Sequence, residues 1–181
     1  MRSLLSALCA LVVALRLVPS VASAEEPAGP FQLEVGGTLG VGGLDSVGVP
    51  DGVRVGALYQ PWEHLGFALD VRHLFMDQGE YDKGVRSFDS GTLALRLSGT
   101  IGRVNLFFDP GAGVARGVVR DGDIDYHDET HSSVAFSARA GLEVAVAKGF
   151  LIGAAGYGII AAIYDAPEGV AGVDFYAGYR F

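Results

Sequence analysis

The chain has 181 residues, with 21 acidic side chains against 13 basic ones and a formal charge of −8. That balance argues against a nucleic-acid partner, which rewards basic patches. Half of the residues are apolar and 27 are glycine, a composition that disfavours helices and requires a place for a large apolar surface.

Arg2, the apolar run Leu4 to Leu15 and the small residues Ala22-Ser23-Ala24 mark residues 1–24 as a cleaved signal peptide. The run is shorter than the ~20 residues a spanning helix needs, and Leu8 is too bulky to precede a lipidated Cys9. Cleavage removes Cys9, the sole cysteine, so neither a disulfide nor a thiol nucleophile is expected. It also removes Arg2 and Arg16, so 11 basic residues then face 21 acidic ones, a charge of −10. Residues 25–30 read as a short flexible segment, and residues 31–181 as one domain.

Period-2 alternation predicts strands near Phe31–Val41, Gly52–Gln60, Leu65–Phe75, Gly91–Thr100, Val104–Val118, Ser132–Val146, Phe150–Ile163 and Ala171–Phe181. The seventh lies in "GFLIGAAGYGIIAAIY", an uncharged run that is too short at ~1.5 Å per residue to cross as a helix. As a tilted strand, ~9–11 residues suffice. Connections alternate between long or polar ("GGLDSVGVPD", "MDQGEYDKGVRSFDS", "VRDGDIDYHDETH", "YDAPEG") and tight ("PWEH", "IGR", "AKG"). Short turns on one side and long loops on the other are the habit of membrane barrels.

One strand face is apolar, from Phe31, Leu33 and Val35 through Val134 and Phe136 to Phe175 and Phe181. The other carries Glu34, Arg54, Asp70, Arg72, Arg96, Asp109, Arg139, Glu143, Asp174 and Arg180, whose charges sum to zero. A barrel in lipid must turn the first face out and the second in, where buried charges persist if paired. The expected fold is therefore an all-β, closed, eight-stranded antiparallel transmembrane barrel. A soluble, lipocalin-like barrel with a greasy lumen is the alternative. Aromatics fall near both strand ends, with Phe31, Tyr59, Trp62, Tyr179 and Phe181 at one and Phe75, Tyr81, Phe88, Tyr126 and Tyr164 at the other, as in interfacial girdles. The inward glycines Gly36, Gly40, Gly56, Gly111, Gly113, Gly141 and Gly178 are expected to make room for arginines.

With its A-x-A signal, eight-strand rhythm and terminal "VDFYAGYRF", the chain resembles the small eight-stranded outer-membrane barrels, the OmpA-like and OmpX-like superfamily. The resemblance implies residence in the bacterial outer membrane among lipid and lipopolysaccharide. It also implies that Val173, Phe175, Ala177, Tyr179 and Phe181 are read by the barrel-assembly machinery. The soluble peptidoglycan-binding domain that follows the OmpA barrel has no counterpart in this sequence. A monomer without cofactor is expected.

Two stretches suggest chemistry. In "DGDIDYHDETH", Asp121, Asp123 and Asp125 imitate a calcium loop, but Tyr126 replaces the turn glycine and Ser132 the closing Glu. Cation binding by Asp125, Asp128 and Glu129 competes with a plain solvated acidic loop. "HSS", His131 to Ser133, resembles the His-x-Ser of lipid A deacylase barrels, but Val134 replaces that family's Asn. Glu143 lies ~33 Å along the strand from Ser133 at ~3.3 Å per residue, so Glu129 or an acid from another strand would have to substitute. The expected function is non-enzymatic: a plugged or very narrow barrel in a structural or surface-interaction role. A narrow channel or small hydrophobic-ligand conduit, a lipid A esterase and a soluble binder are the alternatives.

Overall fold

The computed structural model describes residues 29–43, 50–75, 84–120, 128–163 and 166–181. They form eight strands: β1 (Phe31–Gly43), β2 (Asp51–Tyr59), β3 (Leu65–Phe75), β4 (Gly84–Ile101), β5 (Val104–Arg120), β6 (Asp128–Ala147), β7 (Phe150–Ile163) and β8 (Ala166–Arg180). Each pairs antiparallel with its sequence neighbour, and β1 pairs with β8 to close the barrel. The signal-peptide segment and residues 25–28 lie outside the described residues, whereas the Pro30 carbonyl accepts a hydrogen bond from Gln60 N at 2.7 Å.

The tight connections follow from local chemistry. Gly102 and Gly149 take φ values of 63° and 74° in the β4–β5 and β6–β7 turns, a left-handed backbone that suits glycine in two-residue hairpins. The wider β2–β3 turn is held by Gln60 Nε2, which donates to Glu63 O at 2.9 Å and Ser98 Oγ at 2.8 Å.

Three strands start four or more residues earlier than their alternation suggests. β4 begins at Gly84 rather than Gly91, β6 at Asp128 rather than Ser132, and β8 at Ala166 rather than Ala171. In β4 a register shift between Val85 and Ser87 breaks the two-residue period, and such a bulge hides a strand from a reading based on alternation. β4, β5 and β6 are 18, 17 and 20 residues long, more than the ~9–11 a tilted crossing requires, so this wall rises higher at the loop end.

Side-chain parity decides what faces where. Leu33, Val35, Leu93, Val134 and Phe136 are 55–64% exposed on the outside, while Arg54, Arg72, Arg96 and Asp174 are at most 2% exposed within. This overturns the soluble alternative, which needs the opposite arrangement. One rim is ringed by aromatics: Phe31 stacks on Tyr59 at 4.8 Å and on Phe181 at 6.2 Å, and Phe150 meets Tyr179 edge-on at 4.8 Å. At the other end Phe75 faces outward, but Phe88 is 1% exposed in the lumen. It therefore leaves the expected girdle, because β4 carries it on the inward parity with Ser90 and Thr92. Tyr81, Tyr126 and Tyr164 lie outside the described residues.

The inward glycines also need correcting. Only at Gly56 would an added Cβ meet an arginine, Arg54 Nη2 at 2.5 Å; at Gly36, Gly111, Gly113 and Gly141 it would meet the adjacent strand. These glycines permit close strand approach in a narrow ring. At Gly113 the clash is with the Gly91 carbonyl oxygen and with Thr92 Cα at 2.7 Å, whereas a Cβ at Gly91 meets nothing within 4 Å. Gly113→Ala is therefore expected to lose about 1–3 kcal/mol through overpacking. Gly91→Ala is expected to be neutral or stabilising by up to ~1 kcal/mol, since glycine weakens strand interiors. Urea unfolding of the two variants in vesicles checks the contrast.

Candidate functional site

The interior is where the chemistry concentrates. In every strand the inward side chains come from alternate residues, so one charged residue per few positions is enough to converge on the axis. Arg96 of β4 is fully buried and donates through Nε and Nη2 to Asp109 at 2.9 and 2.7 Å, and through Nη1 to Glu143 at 2.8 Å. The two bonds to Asp109 form the bidentate fork that arginine favours.

Around this centre the other sequence-predicted charges join. Arg54 pairs with Glu34 at 2.7 Å and with Asp70. Arg72 donates to Asp174 at 2.9 Å. Arg139 lies 3.3 Å from Glu34 and Asp174 and 3.6 Å from Asp109. Arg180, nearer the rim, approaches Glu143 at 3.9 Å. All ten residues thus contribute to one countercharged network. Eight of them are at most 6% exposed; the side chains of Asp70 and Arg180 are 14% and 20% exposed.

Neutral residues that alternation alone did not single out complete it. Gln32 donates to Glu34 at 2.8 Å and Glu143 at 3.2 Å, and accepts from Arg180 Nη2 at 2.7 Å. Tyr176 Oη donates to Glu143 at 3.0 Å, and Asn105 Nδ2 does so at 3.2 Å. Rings cover the guanidiniums: Phe107 lies 4.1 Å from Arg96, Tyr157 3.6 Å from Arg72 and Tyr176 4.6 Å from Arg139. Such contacts favour a desolvated cation. The signal for Gln32, Tyr157 and Tyr176 was their inward parity, the same as that of their charged neighbours.

Nearer the loop end lies an apolar layer of Leu74, Val85, Phe88, Ala115, Ala135, Ile159, Ala161 and Val170, in contact with Tyr157. The uncharged β7 supplies Ile159 and Ala161 to this layer. A cavity beside Arg54, Asp70, Asp109 and Arg139 holds about 20 Å³, room for roughly one water and far below the ~300 Å³ of ligand pockets.

His131 and Ser133 share the inward parity of β6 near its loop end, and His131 Nε2 lies 3.4 Å from Glu129 Oε2. Glu143 is engaged by Arg96, Gln32 and Tyr176. Ser133 therefore points away from acyl chains outside the barrel. Asp121 to His127 lie outside the described residues; among those described, no three potential metal ligands cluster. Val173, Phe175, Ala177, Tyr179 and Phe181 all take the outward side.

No family model matches the chain, and no curated protein matches it. Solved structures do. Neisserial surface protein A (NspA) is 16% identical with a TM-score of 0.65, covering 84% of this chain and 97% of its own. Ail, the attachment invasion locus protein of Yersinia pestis, is 20% identical with a TM-score of 0.58, covering 84% and 99%. The outer-membrane protein OprG of Pseudomonas aeruginosa is 16% identical with a TM-score of 0.55, covering 88% and 99%. The chain has the fold of the small eight-stranded outer-membrane barrels.

Proposed function

We propose that this is an integral outer-membrane barrel with a closed lumen, serving a structural or surface-interaction role rather than catalysis. The observation that carries the reading is the pairing of an apolar exterior with a buried, self-neutralising interior. Hydrocarbon demands the first, because a closed barrel satisfies its backbone internally and presents only side chains to lipid. The second fills the axis: Arg96 of β4 reaches carboxylates on β5, β6 and β1, and Arg139 of β6 reaches β1 and β8, so paired side chains span the lumen at that level. The packed apolar layer nearer the loops adds a second obstruction. Neighbours of the same fold, Neisserial surface protein A and the Yersinia attachment invasion locus protein, are named for work at cell surfaces. Lipid, lipopolysaccharide and, during insertion, the barrel-assembly machinery are the partners this reading requires, with the barrel as a monomer.

Two measurements test it. After an alkaline carbonate wash the protein is expected to stay with the membranes; release into the supernatant would refute membrane integration. In planar bilayers the wild type is expected to show no sustained open level, while Arg96→Ala with Arg139→Ala raises conductance. A large wild-type conductance left unchanged by the double variant would refute the plug.

A further inference from the structure

The outer wall carries a feature that the plug does not explain. On β3 the outward positions Leu65, Phe67, Leu69 and Val71 are apolar, and the next one toward the loops is His73. On β4, β5 and β6 the corresponding first polar outward residues are Asp89, Arg116 and Ser132. Strand register sets them side by side: His73 opposite Asp89, Asp89 opposite Arg116, and Arg116 opposite Ser132. Four adjacent strands thus carry a polar row across the outer wall, with Phe75 of β3 and Val118 of β5 outward beyond it.

Asp89 turns toward His73, whose Nδ1 lies 2.6 Å from Asp89 Oδ1. Arg116 is exposed and makes no ion pair among the described residues. Directly beneath the row, Val71, Gly91 and Val114 stand in register. Gly91 lacks a side chain, and an open depression on the wall spans Val71, Gly91 and Val114 together with His73, Asp89, Arg116 and Ser132.

A guanidinium on the outer wall with no ion pair among the described residues favours a phosphate, which it binds through charge-assisted hydrogen bonds. An apolar trough running from that guanidinium into the belt suits an acyl chain. The geometry points to a binding site for one phosphate-bearing acyl lipid of the outer leaflet. Its phosphate sits on Arg116 with Ser132 beside it, and one chain lies over Gly91. The inference rests on the membrane reading above and specifies where on the wall a lipid is held.

The test uses the full-length chain purified in detergent, with bis-phosphorylated lipid A and its dephosphorylated form as probes, titrated by native mass spectrometry. Arg116→Ala is expected to weaken phosphorylated lipid A at least tenfold and leave the dephosphorylated form unchanged. Gly91→Leu, whose Cβ would meet nothing within 4 Å, is expected to weaken both. Gly37→Leu on β1, where an added Cβ meets only Gly52 O at 3.9 Å, is expected to change neither. Equal binding by all variants would overturn the site. So would full competition by inorganic phosphate, which would make the acyl chain irrelevant. A wild type that withstands the carbonate wash yet shows no preference for the phosphorylated lipid sinks only this proposal; release by the wash sinks the membrane reading itself.

Discussion

Arg96→Ala is expected to cost about 3–5 kcal/mol of unfolding free energy, read as a lower urea midpoint in phospholipid vesicles. The size follows from what remains after truncation. Arg96 is fully buried and holds Asp109 with two hydrogen bonds and Glu143 with one. Both carboxylates are themselves no more than 3% exposed, so deletion leaves buried negative charge with too few donors. The network as a whole contributes less, because desolvating its charges offsets much of their attraction. Arg96→Met combined with Asp109→Asn, which removes one buried charge of each sign, should therefore recover part of the loss. Arg180→Ala serves as the control: its side chain is 20% exposed and its main partner is the neutral Gln32, so a cost near 1 kcal/mol is expected. If Arg96→Ala were no worse than Arg180→Ala, Arg96 would not be the keystone of the interior.

Phe136→Arg should cost about 1–3 kcal/mol in a bilayer, because a charge on the lipid face between midplane and interface has no partner. Phe136 lies midway along β6 and is 64% exposed. On a water-facing surface the same substitution would fall within about ±0.5 kcal/mol. Phe136→Leu, which keeps the position apolar, is expected to stay under ~1.5 kcal/mol. A tolerated arginine would show that this face does not meet hydrocarbon, whatever the shape of the barrel.

Much of this was legible in the chain because strand geometry has a period of two and lipid enforces it on one face. Alternation alone placed Arg54, Arg96, Arg139 and Asp174 on one side and Leu33, Phe136 and Phe175 on the other. The partners of each charge were not legible. Arg72 meets Asp174 from 102 residues away and Arg139 meets Glu34 from 105, separations that only closure of the ring brings together. The early part of β4 was hidden for a different reason: its bulge between Val85 and Ser87 shifts parity within a polar stretch, so Phe88 read as an aromatic of the outer girdle. The glycines misled because a missing side chain does not reveal whether a guanidinium or a neighbouring backbone needs the space.

The β1–β8 seam has one consequence for assembly. Seven of the eight strand pairings join sequence neighbours, and only this one joins the two ends of the ring. Across it run Arg180 to Gln32 within the lumen and Phe31 against Phe181 at the rim. Gln32 and Glu34 on one edge, and Asp174 and Tyr176 on the other, also share arginines and acids borne by the middle strands. A ribbon zipped two residues out of step would keep its pleat and its oily exterior yet strand these groups without counterparts. The interior thus acts as a checksum on the last step of folding, accepting a single alignment of first strand against last.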